Sequence, residues 1–269
     1  DLVRYAGSPH GNRLPHLAAY ATVVLGAFLV RGAAIRRSVE HDRAAIPLVI
    51  GGWGTRGKSG TERLKAALFQ GHAHECLVKT TGCEAMFIHA VPGQPAREVF
   101  IYRPYDKASV WEQRDVLALA RSLGVRVFLW ECMALQPELV NLLQAQWMRD
   151  DYSTITNAYP DHEDVQGPSG HDVATVISEF VPTRGNLITA EEEMLPILRE
   201  RARERGTALR TVDTRDAELI AEDVLARFPY AEHPRNIALV VKLARTLGIA
   251  SSVALAEMAD HVVPDLGVL

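Results

Sequence analysis

The residues Gly52-Trp53-Gly54-Thr55-Arg56-Gly57-Lys58-Ser59 have the types and spacing of a phosphate-binding loop. Glycines let backbone N–H groups approach phosphate oxygens, and a helix N-terminus behind them adds a favourable dipole. Lys58 has the place of the lysine that reaches β- and γ-phosphates, and the Ser59 hydroxyl that of a Mg²⁺ ligand. Such a loop carries meaning only between a buried strand and a helix. Both neighbours are present: the apolar run Ile46-Pro47-Leu48-Val49-Ile50 precedes it, and a helical pattern covers 61–69. Gly54, Thr55, Arg56, Gly57, Lys58, Ser59 and Gly60 are therefore the candidate nucleotide-binding residues.

The loop needs a frame. Strand patterns cover 47–51, 125–131, 152–157, 186–189 and 208–212, and helical patterns cover 58–70, 109–122, 137–149, 172–181, 191–204 and 234–247. Apolar strands alternating with helices predict an α/β fold, a mostly parallel sheet flanked by helices on both faces. Segments 86–90 and 99–103 flank Val91-Pro92-Gly93-Gln94-Pro95 and read as a hairpin with a Pro/Gly turn, an insertion near the nucleotide site outside the parallel register. Ligands of such sheets bind beyond the carboxyl ends of the strands. One strand ends there in Glu131, suited to ligate Mg²⁺ or to anchor metal-bound water. The next leads into Asn157-Ala158-Tyr159-Pro160-Asp161-His162-Glu163-Asp164. His162 has the chemistry to ligate a divalent ion, and Asn157 that to pair with an adenine edge or a metal-bound water.

The chain has 269 residues, 48% hydrophobic, with a formal net charge of −4. That balance carries no electrostatic footprint for nucleic acid. Cys76, Cys83 and Cys132 show neither CxxC pairing nor zinc spacing, which predicts free thiols in a reducing compartment. Residues 1–43 differ from 44–269. No charged residue occurs from Leu14 to Val30, and Arg31, Arg36 and Arg37 follow. The run is near the lower length limit of a spanning helix, and its arginines would place the remainder in the cytoplasm. A helix packed on protein is the alternative.

Four blocks occur in an order that resembles the ATP-dependent Mur ligases and folylpolyglutamate synthetases: Gly54-Thr55-Arg56-Gly57-Lys58-Ser59; Glu131-Cys132-Met133-Ala134; Asn157-x-x-x-Asp161-His162-x-Asp164; and Asn236 with Leu247-Gly248-Ile249. Lys79-Thr80-Thr81-Gly82 and Asp164-Val165-Gln166-Gly167-Pro168 bring the resemblance closest to the ligase subunits of capsule-type poly-γ-glutamate synthases. The resemblance covers residues 17–269. It implies a Mur ligase central domain that binds ATP and Mg²⁺. A substrate carboxylate would take up the γ-phosphoryl group, and an amine would displace phosphate to leave an amide. It implies Ser59 and Glu131 at one Mg²⁺ site, His162 at a second, and Asn157 and Asn236 near the nucleotide. Lys79, Thr80 and Thr81 would lie near the γ-phosphate or the acceptor carboxylate, and Lys58, Glu131 and His162 would form the catalytic set. Implied partners are glutamate or another amino acid, the growing polymer, and membrane subunits of a synthase at the cytoplasmic face of a bacterial membrane, with self-association left open.

The sequence departs from that pattern in three places. Family members carry a carbamylated lysine beyond the Asp-His pair, whereas this chain has Thr175-Val176-Ile177-Ser178-Glu179. Either Glu179 substitutes or a second metal is held differently. The family's His-Asn-x-x-Asn motif is reduced to His233-Pro234-Arg235-Asn236. The C-terminal domain that closes on ATP in the family is expected outside this chain. A P-loop ATPase or phosphotransferase, and a non-catalytic ATP-binding scaffold, use the same loop and are the competing readings.

Overall fold

The computed structural model describes residues 3, 7, 13–81, 85–103 and 108–264. The chain divides into two compact units, Asp1–His41 and Asp42–Leu269. Helix α1, Leu14–Ala44, makes up most of the first. An 18-residue window of α1 has mean hydropathy 1.7 and no buried residue. Val23 and Phe28 are 69% and 68% exposed. By length and composition α1 is able to cross a membrane.

The second unit is built on one eight-stranded sheet in the order β4-β3-β2-β5-β1-β6-β7-β8. The strands are β1 Leu48–Trp53, β2 Cys76–Lys79, β3 Met86–Ala90, β4 Arg97–Phe100, β5 Val127–Glu131, β6 Tyr152–Ile155, β7 Asn186–Thr189 and β8 Ala208–Thr211. All neighbours pair in parallel except β2–β3 and β3–β4. The expected hairpin is therefore antiparallel, but it is no separate insertion: it extends the same sheet to an edge. Its second strand is Arg97–Phe100 rather than 99–103. The chain runs from β1 to β2 on one side and later from β5 across to β6 on the other. Strand order thus switches at β1, where α/β sheets open a ligand crevice.

Helices cover both faces. On one side lie α2 (Lys58–Gly71), α10 (Pro234–Thr246) and α11 (Ser251–His261). Leu64 and Leu68 of α2 share a buried cluster with Ile237 and Val240 of α10 and Met258 of α11. Phe69 of α2 and Leu239 of α10 reach Ile50, Val78 and Leu129 of the sheet. The remaining helices are α3 (Trp111–Leu123), α4 (Pro137–Asn141), α5 (Glu163–Gln166), α6 (Gly170–Ser178), α7 (Leu195–Glu204), α8 (Thr214–Glu218) and α9 (Glu222–Leu225). Ser169 and Asp172 form a capping box that starts α6.

The helix expected over 137–149 is α only to Asn141 and continues as a π-helix over Leu142–Met148. The cause is Gln144. Its side-chain nitrogen lies within hydrogen-bond reach of Asp150 Oδ2 at 2.8 Å, Ser153 Oγ at 3.0 Å and Phe180 O at 2.8 Å, its side-chain oxygen accepts from Asp150 N at 3.1 Å, and its backbone carbonyl accepts from Arg149 N at 2.9 Å. Those contacts hold the backbone in wider, i+5 turns.

Candidate active site

The phosphate loop leaves β1 at Trp53 and enters α2 at Lys58. Gly57 has φ +79°, a left-handed conformation that favours glycine. A side chain there would also strike Asn236 Nδ2, 2.7 Å from an added Cβ. The loop is tied to the segment after β6. Asn157 Oδ1 accepts from Thr55 Oγ1 at 2.6 Å and from Arg56 N at 2.9 Å, while Asn157 Nδ2 donates to Arg56 O at 3.0 Å. Thr156 Oγ1 donates to Arg56 O at 2.7 Å, and Tyr159 N donates to Thr55 Oγ1 at 3.0 Å. Asn157 therefore shapes the loop. Lys58 Nζ folds over the loop to donate to Thr55 O at 3.3 Å.

Ser59 and Glu131 meet because β1 and β5 are adjacent. Ser59 Oγ donates to Glu131 Oε2 at 3.0 Å, and Thr81 N donates to the same oxygen at 2.8 Å. Glu131 is fully buried, and its Oε1 has no hydrogen-bond partner among the described residues. An unpartnered buried carboxylate oxygen costs stability unless something else binds it. A carboxylate oxygen beside a serine hydroxyl is the hard-oxygen donor set of Mg²⁺, which takes few protein ligands and completes its shell with phosphate and water. Among the described residues no three His, Cys, Asp or Glu side chains converge on a point, so no all-protein metal cage competes with that arrangement. Gln113 of α3 holds Glu131 in register, its Nε2 donating to Glu131 O at 2.9 Å.

Lys79 ends β2 on the same rim and is fully buried. Its Nζ lies 3.6 Å from Glu112 Oε2 and 3.8 Å from Met133 Sδ. Burial pulls its ammonium down to about 8, against the opposing pull of Glu112 and Glu131. Arg103 grips Glu112 with two bonds of 3.0 Å. Thr80 faces the hairpin, its hydroxyl accepting from Met86 N at 3.2 Å. Behind the loop, Glu62 and Lys65 of α2 are fully buried, 2.5 Å apart, and Lys65 Nζ donates to Thr154 Oγ1 at 3.1 Å. Burial pushes the Glu62 carboxyl up to about 8.

The far wall comes from the segment before α10. A cavity of about 300 Å³ is lined by the loop from Thr55 to Gly60, by Glu131, and by Tyr230, Ala231, Glu232 and Asn236. Asn236 Nδ2 donates to Glu232 Oε1 at 2.9 Å. The structure thus gathers Ser59, Glu131, Lys58 and Asn236 around one cavity, while Asn157 braces its loop and Lys79 and Thr81 stand behind Glu131. His162 does not line that cavity. It is exposed, has φ +48°, and its ring makes no hydrogen bond among the described residues. Asp161 pairs with Arg56 at 3.1 Å. Glu179 is engaged by Arg201 at 2.8 Å and by Arg205, so it does not stand in for the absent lysine.

Glu112, Gln113, Tyr230 and Glu232 were not anticipated. The first two lie inside a helical pattern with no signature of their own. Tyr230 and Glu232 precede Pro234, the N1 proline of α10, which marks a helix start at the rim.

No protein-family profile matches the chain. It is 32% identical over 226 residues to the capsule biosynthesis protein CapB of Bacillus anthracis, covering 84% of this chain and 47% of that protein. It is 27% identical over 247 residues to the PGA synthase CapB of Bacillus subtilis (strain 168), covering 92% of this chain and 61% of that protein. The chain thus spans about half to three fifths of the length of these relatives. Among solved structures, E. coli FolC in complex with DHPP and ADP superposes with a TM-score of 0.62 at 16% identity, covering 86% of this chain and 60% of that one. The bifunctional folylpolyglutamate synthase/dihydrofolate synthase of Yersinia pestis, complexed with AMPPNP and Mn ion, gives a TM-score of 0.61 at 14% identity, covering 86% and 61%.

Proposed function

We propose that this chain, a homologue of CapB with a Mur ligase- and folylpolyglutamate synthase-like fold, is the ATP-binding part of an ATP-dependent amide ligase that extends poly-γ-glutamate or a related polymer. The observation that carries the reading is the hydrogen bond between half-buried Ser59 and buried Glu131 at a phosphate loop on the sheet's switch point.

The chain's residues divide the work. Backbone N–H groups of the loop and the start of α2 hold the triphosphate, and Lys58 swings from Thr55 O to the transferring γ-phosphoryl group. Ser59 and Glu131 would hold Mg²⁺, which supplies charge neutralisation when bound. A carboxylate oxygen of the polymer attacks the γ-phosphorus, the bond to ADP breaks, and an acyl phosphate results. The amine of glutamate or another amino acid then attacks the acyl carbon. The C–O bond to phosphate breaks, inorganic phosphate leaves, and the amine gives up a proton as the amide forms. Lys79 and Thr81, behind Glu131, are placed to position the acceptor carboxylate, and His162 belongs to a second metal site only if its loop moves toward the nucleotide. Helix α1 would tie the unit to the cytoplasmic face of a membrane, beside membrane subunits of the synthase.

Phosphate release by the full-length protein, scored against each amino acid, tests the proposal. Release that depends on glutamate or one other amino acid, and is abolished in a folded Lys58→Ala variant, is the expected result. Release independent of any amino acid would instead favour a simple ATPase, and no release at all a scaffold.

A further inference from the structure

We infer that Glu232 is the ribose-recognising residue of this nucleotide site, accepting a hydrogen bond from a sugar hydroxyl and so selecting ribonucleotides over deoxyribonucleotides. The inference rests on the nucleotide-site reading above and adds a specificity to it.

Glu232 lines the cavity of about 300 Å³ together with the phosphate loop and Glu131. It flanks the first turn of α2: a Cβ added to Gly60 would stand 3.0 Å from Glu232 Oε2. Lys58 serves the β- and γ-phosphates, so the triphosphate tail lies toward Lys58 and the sugar end lies away from it. A carboxylate repels phosphate but is a strong acceptor for hydroxyl groups. Its neighbours hold it in place. Oε1 accepts from Asn236 Nδ2 at 2.9 Å and from His233 N at 2.9 Å, and Oε2 accepts from Tyr230 Oη at 2.8 Å. A carboxylate has about four acceptor positions, so one on Oε2 remains for a ligand. No cation neutralises it among the described residues. The adjacent Arg235 turns instead to Glu192, at 2.7 Å. Capping α10 would need only the bond to His233 N. It explains neither the Tyr230 contact nor the placement beside Gly60. An acidic side chain on a sugar hydroxyl is the same chemistry that dinucleotide-binding folds use.

The test compares dissociation constants of ATP, 2′-deoxy-ATP and 3′-deoxy-ATP for the full chain and for Glu232→Ala and Glu232→Gln. A hydrogen bond to a charged group predicts that the parent prefers ATP by about tenfold or more over at least one deoxy analogue. The preference should fall to about twofold or less in Glu232→Ala, with a smaller loss in Glu232→Gln. Because each protein is judged by its own ratio, general damage to the pocket cancels. Should Glu232→Ala fail to fold, the parent's preference and the Glu232→Gln ratio still decide. Equal affinity of the parent for all three nucleotides overturns the inference, as does an unchanged preference in the folded variants. Failure of the parent to bind ATP overturns the nucleotide-site reading itself.

Discussion

Ser59 and Glu131 are 72 residues apart in the chain and 3.0 Å apart in space. Two roles fall on Glu131. One oxygen accepts from Thr81 N after β2 and from Ser59 of the P-loop, while the other is buried without a partner among the described residues. Such a group is best explained by a ligand. Glu131→Gln keeps the shape and removes the charge. The Mg²⁺ concentration giving half-maximal ATP hydrolysis should rise about tenfold or more, as for other perturbed metal sites. The melting temperature should hold, since a glutamine amide oxygen still accepts from Ser59 Oγ and Thr81 N. An unchanged Mg²⁺ requirement would remove Glu131 from the metal site. His162, by contrast, has an αL backbone and an exposed ring that makes no hydrogen bond among the described residues.

The elements are locked by buried carboxylates on either side of β1. A Cβ on Gly51 would lie 2.0 Å from Asp150 Oδ2, and one on Gly52 1.7 Å from Glu62 Oε1. Asp150 accepts from Trp130 Nε1 at 2.7 Å, Gln144 Nε2 at 2.8 Å and Ser153 Oγ at 2.8 Å, joining β5, the π-helix and β6. Burial outweighs those bonds and raises its carboxyl from 3.8 to about 6. The folded protein therefore holds a proton there that the unfolded chain releases. The resulting stability is complete below pH 3.8 and is lost as pH rises to about 6. Asp150→Asn lacks this titration, so its urea midpoint should trail the parent's more at about pH 4 than at pH 7. The two gaps should differ by up to roughly 3 kcal/mol. A constant gap would show that Asp150 does not titrate in that window. The sequence displayed β1 and β5 as apolar runs, β6, β7 and β8 as short segments between helical patterns, and α2 and α10 because glycine or proline marks their starts. It showed neither β2 nor the π-helix, whose turns are held by the contacts of Gln144 with Asp150, Ser153 and Phe180. In the site, the loop and Glu131 were legible from the motif and its place at a strand end, and Asn236 through the family resemblance. Glu232, Glu112 and Gln113 were not, because only tertiary packing brings them to the rim.

At the scale of the whole molecule, two kinds of surface need different solvents. Helix α1 has 31 residues, about 46 Å at 1.5 Å per residue, against a hydrocarbon core of about 30 Å. Its apolar stretch precedes Arg31, Arg36 and Arg37, an arrangement that would put the following chain on the cytoplasmic side if α1 spans a membrane. The unit from Asp42 onward carries its own sheet and its own buried clusters, so it should fold without the helix. The sequence pattern places the cut at 43/44, but contacts within the second unit argue for 41/42. Asp42 pairs with Arg121 at 2.6 Å. Arg43 donates to Ile46 O at 3.2 Å, to Arg149 O at 2.9 Å, to Asp151 Oδ2 at 2.9 Å, and to Met148 O. Arg43 thereby caps carbonyls at the end of the π-helix, and its removal leaves part-buried acceptors unmet. Fragments 42–269 and 44–269 should both stay in solution without detergent and bind ATP. The shorter should melt lower, by several degrees for a loss of about 2 kcal/mol. Equal melting temperatures would show that Arg43 contributes nothing to the fold. Aggregation of 42–269 would show instead that α1 belongs to the soluble body, and the membrane reading of that helix would fall with it.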